Sequence, residues 1–413
     1  MNVEIIAIGD ELLIGQTINT NASWLGQECT KLGANIVRSS VIADEPAHII
    51  EALQTVYPTT DLILITGGLG PTQDDLTKHT LAAYFNMSLA IDPETLKHIE
   101  AFFEARKRPM LEVNIQQAAL PVGARILKNR IGTAAGMWFE QDHQVFLSLP
   151  GVPYEMKTIM LEEAFPALQA RFQMNALFQL TGLTQGIGES FLADRFADWE
   201  NRIRSAGFGL AYLPSPGAVK LRITSKKGPE DRAQIESYFN ELKAAIPEAF
   251  YGYGTERLEE IVGKQLLEKH ASIGTVESCT AGLLASAIAR VPGASAYYQG
   301  ALLTYSNELK QKVAKIDGNL LQKHGAVSEE VALQMAENGR ELLGVDYCLA
   351  TTGVAGPSGG SPDKPVGLVW IGLAGPNGSF AKRFYFGDDR GRNLDMTVLS
   401  ALNCLRYHLL TSA

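Results

Sequence analysis

Apolar residues in this chain fall into short β-branched runs and 3.6-residue stripes, and the two alternate along most of its length. In residues 1–170 the runs Val3–Ile8, Asn35–Val41 and Asp61–Thr66 predict strands, and Asn21–Leu32 and Ala47–Val56 predict helices. Strands alternating with helices imply a parallel sheet covered on both faces, with ligands beyond the carboxyl ends of its strands. Residues 171–254 change pattern. Ala176–Gly182 reads as extended, Glu189–Trp199 as helical, Phe208–Leu213 and Val219–Ser225 as strands joined by a tight Pro214-Ser215-Pro216-Gly217 connection, and Pro229–Ala245 as a polar helix. This β-α-β-β-α order suggests a small α+β module.

From residue 255 the α/β alternation returns. Helices are expected over Leu258–Lys269, from Asn307, over Glu329–Leu343 and over Leu394–Leu410. Strands are expected at Ser272–Val276, Gly300–Tyr305, Tyr347–Thr352 and Gly367–Ala374. The reading is three consecutive α/β or α+β domains, 1–170, 171–254 and 255–413.

Composition narrows the function classes. A formal net charge of −9 over 413 residues argues against a broad electrostatic grip on nucleic acid or anionic lipid. The four cysteines, Cys29, Cys279, Cys348 and Cys404, lack the spacing of a thiolate zinc site or a disulfide framework and suit a reducing compartment. No basic leader precedes the first strand, and no apolar window approaches membrane-spanning length, so a soluble, cytoplasmic protein is expected.

The C-terminal part carries the sharpest chemistry. Ser278 follows a strand and precedes a helical stripe (Leu283, Leu284, Ala287, Ile288, Val291), with Gly282 between. A hydroxyl at such a strand-to-helix turn is a candidate nucleophile, although an isolated serine before a helix is more often a plain N-cap. No histidine lies near it in sequence, so a lysine of lowered pKa is the candidate base. Lys310 lies four residues after the expected N-cap Ser306, where the positive helix end disfavours an ammonium. Lys312 and Lys315 compete for the role. Tyr305, at the end of a strand, could relay the proton or orient the lysine. Backbone N–H groups of the glycine loop Gly353–Gly360, or of the helix after Ser278, can supply oxyanion donors. Cys279 lacks a paired histidine and reads as a small buried hydrophobe.

The front part has a second candidate site. Gly67-Gly68-Leu69-Gly70-Pro71-Thr72-Gln73-Asp74-Asp75 follows a strand and is expected to open a helix, with N–H groups suited to a phosphate. Asp74 and Asp75 in its first turn, with Asp10 and Glu11 leaving a parallel strand, could hold a divalent cation. Simple complementation of a helix dipole explains Asp74 and Asp75 about as well, and a solvated turn explains Asp10 and Glu11 about as well. In the middle part, Gly186-Ile187-Gly188 is half of a dinucleotide fingerprint. Phe191 stands where the third glycine belongs, so that reading is set aside.

These motifs carry a resemblance. Glu277-Ser278-Cys279-Thr280-Ala281-Gly282, Tyr305-Ser306-Asn307, Lys310, His324-Gly325-Ala326-Val327-Ser328, Gly353-Val354-Ala355-Gly356-Pro357 and Lys364-Pro365-Val366-Gly367 resemble the nicotinamide-nucleotide amidohydrolase domain. The resemblance implies metal-free conversion of nicotinamide mononucleotide to nicotinic acid mononucleotide and ammonia. It assigns catalysis to Ser278, Lys310 and Tyr305, with Thr280, Gly353, Ala355, Gly356 and Arg390 around the substrate. Ala281 replaces a usual glycine, and Asp395 interrupts the basic residues usual after Arg390.

Gly9-Asp10-Glu11-Leu12-Leu13, Asn19-Thr20-Asn21, Thr66–Asp75, Ile131-Gly132-Thr133-Ala134 and Leu149–Met156 resemble the molybdopterin-binding fold and, more closely, the front half of the CinA (competence/damage-inducible protein A) family. That implies a KH-like middle module and a front ADP-ribose pyrophosphatase. The pyrophosphatase would use a divalent metal (Co, Mg or Mn) on Asp10, Glu11, Asp74 and Asp75, with Gly67, Gly68, Gly70 and Thr72 at the substrate. A homodimer follows by family analogy. The absence of a GxxG loop in residues 171–254, together with the acidic charge, speaks against nucleic-acid clamping. Three alternatives stay open: a pterin-nucleotide binder, a competence- or damage-linked interaction protein, and a front domain that has lost activity, because Ala135 replaces a usual proline.

Overall fold

In strand β1 (Asn2–Ile8) Val3 and Ile5 join one apolar cluster and Ile6 and Ile8 another, so the strand is buried on both faces. The computed structural model describes residues 1–70, 75–172 and 177–412. Chain contacts divide it into two units, Met1–Phe178 with Lys226–Glu230, and Gln179–Ser225 with Asp231–Ala413.

The first unit is built on six strands: β1, β2 (Asn35–Ile42), β3 (Leu62–Thr66), β4 (Arg125–Leu127), β5 (Gly136–Gln141) and β6 (Gln144–Leu149), in the order β2-β1-β3-β6-β5-β4. β2, β1, β3 and β6 are parallel neighbours, whereas β5 and β4 run antiparallel. The sheet is therefore mixed rather than wholly parallel. The Gln141–Gln144 hairpin, with Asp142 at φ 53°, reverses the chain without a crossover helix. Two helices bear on the front site, α1 (Asp10–Leu13) and α2 (Thr20–Lys31), the latter capped by Asn19, whose side chain accepts from the N–H of Ala22 at 2.9 Å.

The second unit contains two sheets. The middle module orders β7 (Phe178–Gln185), β8 (Gly209–Ser215), β9 (Ala218–Ser225) and β10 (Phe250–Tyr253) as β8-β9-β7-β10. The Pro214–Gly217 connection is a hairpin turn, with Pro214 opposite Val219 and Ser215 opposite Ala218. The single helix expected over Glu189–Trp199 is two, α3 (Glu189–Arg195) and α4 (Ala197–Ser205), broken at Phe196.

The C-terminal sheet orders β11 (Ile273–Glu277), β12 (Tyr298–Leu303), β13 (Tyr347–Gly353), β14 (Leu368–Gly375) and β15 (Gly378–Tyr385) as β12-β11-β13-β14-β15. β12, β11 and β13 are parallel, and β14 and β15 antiparallel. Along β13, Tyr347 and Leu349 pack on one face, Cys348 and Ala350 on the other. No strand is expected from the sequence at β15, because its largely exposed residues lack the apolar alternation that marks a core strand. Three helices matter below: α5 (Leu283–Ala289), α6 (Asn307–Lys312) and α7 (Arg390–Thr411), which begins four residues earlier than its apolar stripe suggests.

Candidate active site

Ser278 lies one residue beyond β11 at the carboxyl edge of the parallel strands, its N–H donating to the carbonyl of Thr351 on β13 at 2.9 Å. The turn to α5 is tight: Ala281 and Gly282 both have positive φ, 49° and 97°. Ala281 thus occupies a conformation that favours glycine, the residue usual there in the resembling family.

Ser278 does not take up the donors of the helix end. The buried carboxylate of Glu277 takes that place, accepting from the N–H groups of Gly282 (2.9 Å), Leu284 (3.2 Å) and Ala285 (2.7 Å). Those donors are therefore unavailable to a substrate oxyanion. The N–H groups of Cys279 and Thr280, in the turn itself, engage no backbone acceptor among the described residues and are the better oxyanion donors. Sequence reasoning missed this role of Glu277, although an acidic residue just before a helix is a recognised signal. Glu277→Gln replaces an acceptor-only group by one whose amide faces backbone donors. It should lower the stability of the second unit by about 2 kcal/mol, read as a downward shift of its urea midpoint. An unchanged midpoint would show that the carboxylate is dispensable.

Lys310 Nζ lies 2.7 Å from Ser278 Oγ and 2.8 Å from the carbonyl oxygen of Thr304. The side chain is 1% exposed, whereas Lys312 and Lys315 face solvent. Burial pushes its pKa down from the usual 10.5 to about 8. Desolvation does this work rather than the dipole of α6, which is only six residues long. Cys279 is 6% exposed and its thiol is pushed up to about 12 by burial, so it stays protonated and inert beside the serine.

Tyr305 is not among the hydrogen-bond partners of the Lys310 amine. Its ring is exposed, and its hydroxyl accepts from Arg390 Nη2 at 3.4 Å. Arg390 also donates through Nη1 to the carbonyl of Gly356 at 2.8 Å. Tyr305 thus lies on the site's rim, beside a guanidinium suited to an anion.

The glycine loop is tied to the first turn of α7. Arg390 holds the Gly356 carbonyl, and Asn393 Nδ2 holds the carbonyls of Ala355 and Gly387, each at 2.9 Å. Gly353 ends β13, and a Cβ there would meet the Leu368 carbonyl at 2.8 Å, so this glycine serves strand packing. Buried Thr280 shares a 2.7 Å hydroxyl–hydroxyl contact with Thr351 and braces the Ser278 turn. Asn393 escaped the sequence reading because its work is done on main-chain carbonyls, which carry no residue signature.

The front residues assemble less completely. Thr72 and Asp74 lie outside the described residues. Gly67 donates its N–H to Leu149 and would clash with the Ile8 carbonyl at 2.2 Å if it carried a Cβ, so it serves the close approach of β1 and β3. Gly68 packs against Thr77, and a Cβ on Gly70 would meet the Asp75 carboxylate at 2.5 Å. The helix after the loop begins only at Thr77, which places Asp75 ahead of its first turn rather than within it. Asp10 and Glu11 are exposed on α1. Among the described residues no three His, Cys, Asp or Glu side chains converge as a metal site. At this sheet edge Glu11 lines a cleft together with a polar cluster, in which Asn21 Nδ2 donates to Thr66 Oγ1 at 3.0 Å and to the Gly151 carbonyl at 2.8 Å. Its buried Oδ1 has no protein partner among the described residues.

Three family models match successive parts of the chain: "Probable molybdopterin binding domain" over residues 4–170, "Damage-inducible protein CinA KH domain" over 183–253 and "CinA C-terminal domain" over 255–409. A CinA-like protein of Cytophaga hutchinsonii is 40% identical over 98% of this chain and 97% of its own length. A putative competence-damage inducible protein of Caldicellulosiruptor bescii is 37% identical over 99% of this chain and 100% of its own. Among solved structures, the competence/damage inducible protein CihA from Agrobacterium tumefaciens is 35% identical, covering 36% of this chain and 93% of its own at a TM-score of 0.35. Among the described residues no helix is long and apolar enough to cross a membrane.

Proposed function

The chain belongs to the CinA family, with a molybdopterin-binding-like front domain, a KH middle module and a CinA C-terminal domain, and from that premise we propose that its C-terminal domain is a serine amidohydrolase acting on nicotinamide mononucleotide. One observation carries the reading: a buried lysine of lowered pKa lies 2.7 Å from the hydroxyl of a serine presented at a sheet edge. With its pKa at about 8, Lys310 is neutral in roughly a tenth of molecules at pH 7, whereas an ordinary lysine is neutral in well under a thousandth.

The neutral amine takes the Ser278 proton as Oγ bonds to the amide carbon, and the carbonyl π pair moves to oxygen, facing the Cys279 and Thr280 N–H groups. As the tetrahedral species collapses, the C–N bond breaks and the Lys310 ammonium passes its proton to the departing nitrogen, releasing ammonia. Water then adds to the acyl carbon, losing a proton to Lys310. Collapse expels Ser278 Oγ, which regains that proton, and nicotinic acid mononucleotide leaves. Arg390, on the rim beside Tyr305 and Gly356, would bind the substrate's phosphate. The pair also explains how the chemistry proceeds without a histidine.

The test is ammonia release from nicotinamide mononucleotide in the presence of a chelator, followed from pH 6 to 10. The expected kcat/KM rises about tenfold per pH unit and levels off above about 8, where Lys310 is deprotonated. No ammonia at any pH would remove the proposal. A pH-independent rate would remove Lys310 as base.

For the front domain the proposal is narrower: a nucleotide-binding cleft at the carboxyl ends of β1 and β3, supported by the unpartnered Asn21 Oδ1. Cleavage of ADP-ribose there would call on a divalent cation to offset the pyrophosphate charge, with Glu11, which lines the cleft, among its candidate ligands.

A further inference from the structure

The proposed mechanism leaves two motifs of the C-terminal part without a role, His324-Gly325-Ala326-Val327-Ser328 and Lys364-Pro365-Val366-Gly367. They meet in the fold. Half-buried Lys364 donates through Nζ to the carbonyl of His324, the last residue of the helix Gly318–His324. A cation suits that negative helix end. Gly325, at φ 72°, makes room for it, since a Cβ there would lie 2.7 Å from the ammonium nitrogen. Lys364 has no carboxylate partner among the described residues, and the His324 ring is engaged with Glu330 at 2.8 Å.

Side chains hold segment 324–328 in place. Among the described residues no backbone N–H reaches the carbonyls of His324, Gly325 or Ala326. Lys364 takes the first, Ser328 Oγ the second at 3.0 Å and Thr352 Oγ1 the third at 2.7 Å. Of these three, Lys364 alone comes from the chain between β13 and β14. It closes a turn with Ser361, whose N–H donates to the Lys364 carbonyl at 2.9 Å and whose Oγ accepts from the Lys364 N–H at 3.1 Å. The glycine loop is therefore tied on two sides, to α7 through Gly356 and Arg390 and to segment 324–328 through Lys364.

This clamp lies beside the candidate pair. On the parallel neighbours β11 and β13, Glu277 lies opposite Thr351, so Thr352 is level with Ser278. Ala326, fastened to Thr352, packs against an apolar cluster that includes Val276, Ala314 and Ile316. Val276 shares its strand face with the position of Ser278, and the Ile316 N–H donates to the Lys310 carbonyl at 3.0 Å. We propose, resting on the amidase reading, that Lys364 is a positioning residue for Ser278 and Lys310: it clamps the glycine loop to segment 324–328 and keeps that segment packed against the side of the pair, where it excludes water.

The test compares the full chain with Lys364→Met and Lys364→Arg. Methionine keeps the length of the side chain and loses the cation, whereas arginine keeps the cation. Water admitted by a loosened segment returns Lys310 toward an ordinary lysine. In Lys364→Met the midpoint of kcat/KM for ammonia release should rise from about 8 by about one pH unit. The rate at pH 7 then falls about tenfold, while the plateau at high pH stays within about threefold of the parent. Cys279, the neighbour whose charge acts on Lys310, stays protonated across this window. Loss of folded enzyme would instead lower the rate equally at every pH. Backbone hydrogen exchange over residues 324–332 should quicken in Lys364→Met, and Lys364→Arg should match the parent in both measurements. An unmoved midpoint in Lys364→Met, unchanged exchange in that segment, or an arginine variant that behaves like the methionine one would each overturn the proposal. A parent chain that releases no ammonia would sink the amidase reading itself, and the exchange comparison would still show whether Lys364 holds the segment.

Discussion

Ser278→Ala should abolish ammonia release from nicotinamide mononucleotide, with a loss of about a thousandfold or more, while the protein folds as the parent does. The two expectations rest on different atoms. Catalysis needs Oγ, the only atom the substitution removes. The fold uses the backbone of this residue, whose N–H holds Thr351 and whose carbonyl accepts from Ala281 at 3.2 Å. Alanine keeps both. No neighbour can substitute as nucleophile: Cys279 is held protonated by burial, and the Thr280 hydroxyl is committed to Thr351. Matching far- and near-UV circular dichroism with activity near the background rate is the expected result. Activity within tenfold of the parent would move the nucleophile away from Ser278 and remove the proposed mechanism.

The candidate pair was legible in the sequence, but the burial that gives it its proposed chemistry was not. Ser278 and Lys310 stand out through residue type and their places at a strand end and a helix start. Lys310 could not be separated from Lys312 and Lys315, because burial is a tertiary property: all three lie on or just after one short helix, and only the first faces inward. The same limit explains Tyr305. Adjacency in sequence put it beside the lysine, whereas the packing of α7 carries Arg390 to its hydroxyl. Groups acting through main-chain carbonyls, Thr304 toward Lys310 and Asn393 toward Ala355, leave no trace in a residue pattern. In the front unit the glycine loop was read as a phosphate cradle, yet Gly67 and Gly68 are demanded by close packing against Ile8 and Thr77. A glycine needed for clearance and one needed for a ligand look alike in sequence. The parallel core strands β1, β3, β11 and β13 declared themselves through continuous apolar runs. Parallel β6, antiparallel β5 and exposed β15 did not.

Lys310→Met should remove the amidase and at the same time stabilise the fold at neutral pH. The folded-state pKa, about 8, lies below the usual 10.5. Between these values the unfolded chain binds a proton that the folded chain releases, so stability rises with pH across that window. Below about 8 the full cost of burying an ammonium is present. Methionine has a similar length and no charge, so it removes that cost. It also gives up the bonds to Ser278 and Thr304, each worth about 1 kcal/mol net. The balance is a gain on the order of 1 kcal/mol at pH 7, shrinking as pH climbs from about 8 toward 10.5 and changing sign once the parent lysine is neutral in both states. Urea midpoints of parent and variant at pH 7 and pH 10, with ammonia release at pH 8, test both halves together. A variant less stable than the parent at pH 7 by the same margin as at pH 10 would mean that the lysine is buried without electrostatic cost. Strain held in the site for catalysis would then not be the reason for its low pKa. A stabilised but inactive protein is what a buried catalytic base predicts, since the desolvation that lowers its proton affinity is also what the fold must sustain.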